Sequence, residues 1–341
     1  MSDAVPETPP IVLVFAANDP SGGAGMQADL LTLSSMGCHP LPVITALTVQ
    51  DTRGVEDMLP IDADWVADQA RCVLEDMPVS AFKLGVLGSI ETIAAIAEVV
   101  ADYPNIPLIL DPVLASGRGD PFANEEMIAA IRELLLPQCT IITPNSYEAR
   151  RLAADDREDE DLDLARCAKR LLAAGCEYVL ITGTHENTVQ VVNRLYGEQG
   201  EIRSDAWQRL PGSYHGSGCT LASALAATLA NGLPVEEAAR DAQEYTWQTL
   251  KAGFRPGMGQ FVPDRLFWAR ETDEDAPVDA AAEGAADGEP AASDTVVDAV
   301  ATAVLEPGDD PDGNPGDGSA GAGGSVDGST GGIPPVRATA H

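Results

Sequence analysis

The sequence predicts a three-layer α/β/α domain with a mostly parallel central sheet, followed by a disordered acidic tail. Two observations predict the domain. Short apolar runs alternate with longer amphipathic stretches over residues 1–270, and many of the runs, such as Ile11–Ala16, are apolar throughout. Such runs are typical of parallel strands that helices cover on both faces. A third observation, the abrupt change in composition after Arg270, predicts the tail.

The predicted elements alternate along the chain as βαβ units require. Strands are predicted at Ile11–Ala16, Val43–Leu47, Phe82–Val86, Leu108–Leu110, Thr140–Thr143, Tyr178–Thr182 and Val189–Asn193. Helices are predicted near residues 23–36, 62–77, 89–102, 124–136, 160–174, 217–231 and 235–251. Ligands of such folds bind at the carboxyl ends of the strands, so the polar motifs that follow the strands should converge on one edge.

The tail, residues 271–341, contains no aromatic residue and one leucine, Leu305. A segment of this composition cannot bury enough apolar area to offset the entropy lost on ordering. We therefore predict two regions, a folded domain over residues 1–270 and a disordered tail over residues 271–341.

The charge of the chain is strongly negative, at −34. It is not confined to the tail, because the first 270 residues hold 38 acidic and 19 basic residues. A nucleic-acid-binding protein needs the opposite sign. An acidic surface with only three lysines suits a cytoplasm of molar salt, where charge repulsion is screened. The chain has neither a run of eighteen apolar residues nor a secretory start, which predicts a cytoplasmic protein without a membrane span.

Residues 18–25 (NDPSGGAG) follow the first strand and open a helix. Glycines let the backbone approach a ligand closely, and a helix start offers free N–H groups. The motif is not a Walker A loop, since no Gly-Lys-Ser/Thr follows. A tight strand-to-helix turn is the alternative interpretation.

Gln50 ends the segment TALTVQ, which follows the second predicted strand. Its amide offers both a donor and an acceptor, a pair that matches the edge of an aminopyrimidine. A loop glutamine that faces solvent is the alternative.

Two acids follow successive buried strands. Asp111 ends the run LILD, and Glu148 follows the next strand in the segment TPNSYE. Acids at these positions are suited to act on Mg²⁺ and phosphate oxygens, directly or through water. Glu148 could instead be a first-turn acid that complements the helix dipole.

The segment His215–Leu221 (HGSGCTL) precedes a helix rich in small residues. Consecutive N–H groups of a glycine-rich turn at a helix start form a cradle for an anion and stabilise charge on a transferred phosphoryl group. Cys219 falls at the helix start, where the dipole lowers the pKa of a thiol, so we predict a thiolate. A buried cysteine at a helix contact is the alternative.

Six motifs in order carry a family resemblance. They are NDPSGGAG, VITALTVQDTRGV, KLGVLGS, LDPVLASGRGD, ITPNSYEA and HGSGCTLASALAA, spread over about residues 11–262. The chain thereby resembles the hydroxymethylpyrimidine/phosphomethylpyrimidine kinases of thiamine biosynthesis, in the ribokinase-like superfamily. The resemblance implies a ribokinase-like fold and ATP-dependent phosphorylation of hydroxymethylpyrimidine, usually followed by phosphorylation of its monophosphate. By analogy with the superfamily, it also implies a homodimer.

The resemblance also implies roles for individual residues. Gln50 would read the pyrimidine ring, and Cys219 would be the base near the hydroxyl. A thiolate would suffice, because phosphoryl transfer depends more on positioning than on a strong base. The remaining roles are substrate contacts by Asp19, Gly22, Gly25 and Val86; Mg²⁺ contacts by Asp111 and Glu148; ATP contacts by Asn145, Thr182 and Thr184; and an anion hole of Gly216, Ser217 and Gly218.

The sequence departs from the family pattern at two places. Val86 stands where the family often has methionine, which leaves more room above the ring. Thr182-Gly183-Thr184-His185 stands where the family has Lys-Gly-Gly-His. A cationic contact to phosphate is therefore absent from that position.

Two other functions compete. Pyridoxal kinase shares the fold and the Mg·ATP apparatus; Gln50 favours the aminopyrimidine, while Val86 accommodates either ring. A non-catalytic pyrimidine-binding protein is suggested by Thr182 in place of lysine. Against it stand Asp111, Glu148 and the anion hole with Cys219.

Overall fold

The structure of the protein is a computed structural model that describes residues 8–116, 119–154 and 162–270. An eight-stranded sheet forms its centre, with helices on both faces. The predicted three-layer architecture is therefore confirmed. The predicted disordered tail, residues 271–341, lies outside the described residues.

The strands are β1 (Ile11–Ala16), β2 (His39–Ile44), β3 (Ala46–Gln50), β4 (Val55–Pro60), β5 (Val79–Leu84), β6 (Leu108–Leu110), β7 (Ile141–Ile142), β8 (Tyr178–Ile181), β9 (Gln190–Gly197) and β10 (Gly200–Gln208). The order across the main sheet is β10-β9-β8-β7-β6-β5-β1-β2, while β3 and β4 form a separate ribbon. In the main sheet, the adjacent strands β2, β1, β5, β6, β7 and β8 pair in parallel. Strand β9 pairs antiparallel with both β8 and β10. The parallel strands end at one common edge.

The helices are α1 (Gly25–Ser35), α2 (Ala63–Asp76), α3 (Ile90–Ala101), α4 (Glu125–Ala130), α5 (Ser146–Ala153), α6 (Leu164–Ala173), α7 (Ser217–Ala230) and α8 (Val235–Lys251). Strand β1 shows how the layers divide. Ile11, Leu13 and Phe15 join the core under α2 to α6, whereas the intervening residues join the core under α1, α7 and α8. Both faces of the strand are buried, which explains why its sequence is continuously apolar.

Helix α7 is the most tightly enclosed of these helices. Nine of its residues, Thr220 to Thr228, are buried in succession, and four of them are alanines. Small side chains let a helix approach both the sheet and neighbouring helices closely. The packing fixes the start of α7, and the glycine-rich turn before it, at the edge where the parallel strands end.

The structure corrects several predicted elements. The segment Val43–Leu47 is not one strand: β2 ends at Ile44, and β3 leaves the sheet to pair with β4. The chain turns at buried Thr45, whose Oγ1 donates to the Val86 carbonyl at 2.5 Å. The sequence reading missed β4, β10 and α5. In the segment after α4, a π-helical turn at Ile131–Leu135 continues the predicted helix.

In the described segments, no helix is both long enough and apolar enough to cross a bilayer.

Candidate active site

A cavity of about 500 Å³ opens at the carboxyl edge of the parallel strands. The loops after β1, β5, β6, β7 and β8 contribute to its wall, together with the ribbon and the start of α7. Its apolar end includes two tryptophans, Trp207 and Trp247, whose rings stack at 6.3 Å between centroids. Twelve of the predicted site residues line it: Gly25, Gln50, Val86, Asp111, Asn145, Glu148, Thr182, Thr184, Gly216, Ser217, Gly218 and Cys219.

Asp19 and Gly22, two of the predicted substrate contacts, are not among the residues that line the cavity. Asp19 is fully buried. Its carboxylate accepts hydrogen bonds from the N–H groups of Ser21 (2.8 Å) and Ala24 (2.6 Å). Burial alone would raise the pKa of Asp19, but bonds from His215, Ser21 and Ala24 outweigh it and lower the pKa to about 2. Asp19 therefore organises the loop of residues 18–25.

The loop of residues 18–25 docks directly on the turn before α7. Asp19 Oδ2 lies 2.9 Å from His215 Nε2, a contact between residues 196 positions apart. A Cβ on Gly23 would collide with the His215 ring, and one on Gly216 would collide with the Gly23 carbonyl. Gly216 also has φ +82°, a conformation that favours glycine. Glycine is thus required on both sides of the contact.

Arg265 ties the two loops together from behind, and sequence reasoning missed it. Its side chain is buried, with Nε 3.0 Å from Thr220 Oγ1 and one terminal nitrogen 2.6 Å from the Gly23 carbonyl. The same nitrogen lies 3.5 Å from the carbonyl of Gly216. A buried arginine with these partners fixes the position of the predicted anion hole relative to the first glycine loop.

Asp111 and Glu148 enter the cavity from the ends of β6 and β7, as their positions in the sequence predict. Asp111 is buried, and its Oδ2 has no hydrogen-bond partner. Burial and the charge of Asp29 raise the pKa of Asp111 to about 6, although Lys83 and a bond from Cys219 lower it. Burial and the charge of Asp111 raise the pKa of Glu148 to about 8.

Glu148 also has a structural role. Its Oε2 accepts from the Asn145 N–H at 2.9 Å, and its own N–H donates to Asn145 Oδ1 at 2.9 Å, so the pair forms a capping box at the start of α5. Both interpretations of Glu148, cavity acid and first-turn acid, therefore hold.

The two acids fit a divalent cation. Asp111 Oδ2 has no hydrogen-bond partner and the pKa values of both acids are raised, so a bound cation would favour their charged forms. In the described residues, no group of three or more His, Cys, Asp or Glu could hold a metal alone. Mg²⁺ needs no such cage, since it is commonly held by one or two carboxylates together with phosphates and water.

A buried ion pair lies beneath the acids, and the sequence reading missed this too. Lys83 on β5 and Asp29 on α1 are both fully buried, with 2.9 Å between Nζ and Oδ2. Lys83 Nζ is 4.0 Å from Asp111 Oδ2, and Asp29 Oδ1 accepts from Ser223 Oγ at 2.7 Å. Burial lowers the pKa of Lys83, but the neighbouring acids outweigh it and raise the pKa. Lys83 thus stays charged and stabilises Asp111 as a carboxylate.

Cys219 lies where predicted, but the prediction of a thiolate is wrong. Loss of hydration and the charge of Asp111 raise the pKa of its thiol to about 12, and the charge of Lys83 offsets them only in part. Cys219 is therefore expected to be a thiol in the free protein. The dipole of α7 cannot outweigh an adjacent buried carboxylate.

Gln50 and Val86 both line the cavity. The ribbon that carries Gln50 is fastened to the first glycine loop, since Asn18 Oδ1 accepts from the Thr48 N–H at 2.8 Å. At the ribbon's far end, the Thr52 carbonyl accepts from the Gln260 N–H, also at 2.8 Å. Bonds at both ends thus hold Gln50 over the cavity.

Asn145 and Thr182 lie side by side, joined as a bridge between the ends of β7 and β8. The Thr182 N–H donates to the Pro144 carbonyl at 2.9 Å. Thr184, His185 and Trp207 also line the cavity. Two of the predicted nucleotide residues, Asn145 and Thr182, are therefore adjacent, and Asn145 is also hydrogen-bonded to Glu148.

This arrangement defines a class of enzyme. Acids at strand ends that share a cavity with a glycine-rich helix start are suited to phosphoryl transfer, which depends on positioning and on charge stabilisation. The phosphomethylpyrimidine kinase family model matches residues 19–264. The chain belongs to this family.

Individual relatives agree with the family match. The chain is 39% identical over 262 residues to the hydroxymethylpyrimidine/phosphomethylpyrimidine kinase of Streptomyces coelicolor, covering 74% of this chain and 93% of the relative. It is similar to a solved phosphomethylpyrimidine kinase from Clostridium difficile, with 32% identity and TM-score 0.61 over 71% of this chain and 99% of that one. It is also similar to the pyridoxal kinase of Staphylococcus aureus, solved with AMP-PCP and pyridoxal, with 28% identity and TM-score 0.68 over 77% and 96%.

Proposed function

We propose that the protein is an ATP-dependent kinase that phosphorylates 4-amino-5-hydroxymethyl-2-methylpyrimidine, and then its monophosphate, in the biosynthesis of thiamine diphosphate. One observation carries the proposal. In a chain of this family, the pair Asp111 and Glu148 shares one cavity with the glycine turn of α7 and with Gln50. The cavity thus combines a site for a metal–phosphate group, a cradle for the transferred phosphoryl and an amide for the ring.

The residues divide the work of the reaction. The amide of Gln50 pairs with the polar edge of the aminopyrimidine and fixes its orientation. The N–H groups of the turn at Gly216–Cys219 stabilise the charge on the transferring phosphoryl, and they do so without reorganising because Arg265 and Gly23 hold the turn. Asp111 and Glu148 would hold Mg²⁺, which when bound neutralises charge on the phosphate oxygens.

Cys219 acts on the hydroxyl of the substrate. In the free protein its sulfur is protonated. A cation held by Asp111 would offset the charge of Asp111, which is one of the influences that raise the pKa of the thiol. Cys219 would then release its thiol proton to solvent, and the resulting thiolate orients the hydroxyl and accepts its proton as the new O–P bond forms and the bond from phosphorus to the ADP oxygen breaks. A weak base suffices here, because the loose transition state needs little proton removal before transfer.

Pyridoxal phosphorylation is the second candidate, and Val86 is the observation that favours it. Val86 lines the cavity and leaves room for a pyridine ring. The test is ATP consumption by the purified protein with hydroxymethylpyrimidine, its monophosphate and pyridoxal in parallel, at high salt. We expect turnover with both pyrimidines, and a higher kcat/KM with hydroxymethylpyrimidine than with pyridoxal. Turnover with pyridoxal but with neither pyrimidine would overturn the proposal. Absence of ATP consumption with all three acceptors would favour a non-catalytic protein.

Three broader features belong to the same proposal. We expect the enzyme to act in the cytoplasm, where ATP is available, without binding nucleic acid or membranes, and to be adapted to molar salt. We also expect a homodimer. Its support is an apolar outer face of the ribbon, where Leu47, Val49 and Leu59 are 43%, 57% and 64% exposed. Light scattering of the protein and of a Leu59→Glu variant tests the dimer.

A further inference from the structure

Arg209 lies in the wall of the cavity, immediately after β10. Its guanidinium donates to three carbonyls of one loop: Nε to Thr188 at 3.1 Å, and the two terminal nitrogens to Thr184 at 2.9 Å and Glu186 at 3.0 Å. A guanidinium has five N–H donors. Two donors therefore remain beyond the three that hold the loop.

Positive charge is scarce in this cavity. Among the lining residues in the described part of the chain, Arg209 is the one arginine, and no lysine is present. The same wall holds the acids Asp111 and Glu148. The polyphosphate of a nucleotide carries several negative charges, and strong hydrogen bonds to phosphate come from arginine or lysine. The position that supplies lysine in the family is Thr182 here, at the start of the loop that Arg209 holds.

The surroundings of Arg209 fit a place between phosphates and base. On one side, the Arg209 loop leads through Thr184 to Thr182, which bridges to Asn145 beside the acids. On the other side is the tryptophan pair, since Trp207 precedes Arg209 by two residues and Trp247 Nε1 donates to the Gln208 carbonyl at 3.1 Å. Stacked aromatic rings suit a nucleobase.

We propose that Arg209 binds the polyphosphate of the nucleotide and supplies the positive charge that threonine at position 182 cannot. Three of its N–H groups hold the loop of residues 184–188, and the remaining two face the phosphates. The proposal rests on the proposed function, because it assigns a residue to the ATP subsite of that function. It makes Arg209 a binding residue that sequence motifs do not reveal.

The test is the binding of ATP and of adenosine to the full chain, measured by calorimetry without pyrimidine. Arg209→Gln keeps an amide donor and removes the charge. Arg209→Lys keeps the charge, but its ammonium has three N–H donors in place of the five of a guanidinium. Arg71→Gln on α2 is the matched control, an exposed arginine outside the cavity wall. Circular dichroism of each variant checks that it folds.

We expect Arg209→Gln to raise the Kd for ATP by about ten- to a hundredfold, the range for hydrogen bonds to charged groups, and to leave the Kd for adenosine unchanged. Arg209→Lys should recover part of the ATP affinity, and Arg71→Gln should match the wild type. Equal losses for ATP and adenosine in both Arg209 variants would mean that Arg209 only shapes the loop, and would overturn the proposal. An unchanged Kd for ATP would overturn it too. A wild type that binds no ATP would instead contradict the proposed function itself.

Discussion

The reactivity of Cys219 toward iodoacetamide distinguishes the structure from the prediction made on sequence alone. A thiol at a helix start should be alkylated fast, whereas a thiol with a pKa of about 12 should be alkylated slowly in the free protein. Relative to a free cysteine of pKa about 8.5, the thiolate fraction at pH 7 falls roughly 3,000-fold. The higher nucleophilicity of the more basic thiolate offsets part of this, with a Brønsted slope of about 0.45, so alkylation should be roughly 100-fold slower.

The assay is alkylation at pH 7 followed by peptide mass spectrometry, which reports each cysteine separately. Cys72 is exposed and serves as the internal control in the same sample. Cys219 is expected to react roughly 100-fold more slowly than Cys72, and its rate should keep rising with pH well above pH 9. Labelling of Cys219 as fast as that of Cys72 would refute the raised pKa and would support the thiolate that the sequence predicts.

Four further predictions address catalysis, positioning and stability. Cys219→Ala should lower kcat by roughly 10²–10⁴-fold with little change in Tm, if Cys219 accepts the hydroxyl proton; normal turnover with a lower Tm would remove it from the mechanism. Gln50→Ala should raise KM for the pyrimidine more than it lowers kcat, by about 1–3 kcal/mol of binding, because the polar ring edge loses its partner in ground and transition state alike; an unchanged KM in steady-state kinetics contradicts that contact. Arg265→Lys keeps the buried charge but loses the bond to Thr220 or to Gly23, so kcat should fall more than the affinity for either substrate; a loss confined to Tm would make Arg265 merely structural. Finally, the described domain should lose far-UV circular dichroism on transfer from molar to low salt, since the Debye length grows from about 3 Å at 1 M to about 10 Å at 0.1 M, and a constant signal would refute salt adaptation.

The edge where the motifs meet could be predicted from the sequence, because it follows from the parallel strands. Asp111 and Thr182 directly follow β6 and β8, and Asn145 comes three residues after β7; these three neighbouring strands pair in parallel. Their convergence is a matter of topology and needs no knowledge of side-chain packing. The same holds for the glycine turn before α7, because the run of small residues that follows it predicts the helix.

The side of a loop that a residue faces could not be predicted, because it depends on distant partners. Asp19 looks like a pocket residue until His215 is found against its carboxylate. Burial and the charge of Asp111, more than 100 positions away in the chain, raise the pKa of Cys219. The local sequence indicates only the dipole of the helix that Cys219 begins. A lone lysine in an apolar strand was the one available sign of the buried pair of Lys83 and Asp29.

Edge elements were missed for a different reason. Strand β4 and strand β10 carry alternating or mostly exposed residues, and neither has the apolar run that identifies a central strand. Only their pairing with β3 and β9 makes them strands. Arg209 follows such an edge strand, which is why its position in the cavity was not anticipated.

Transfer of phosphate from ATP labelled at the γ position to hydroxymethylpyrimidine tests the central claim most directly, with wild type and Asp111→Asn compared at high salt. The wild type should yield labelled monophosphate first and then the pyrophosphate, and Asp111→Asn should yield neither at a comparable rate while still folding. Absence of labelled pyrimidine with the wild type, or equal labelling by Asp111→Asn, would contradict the account.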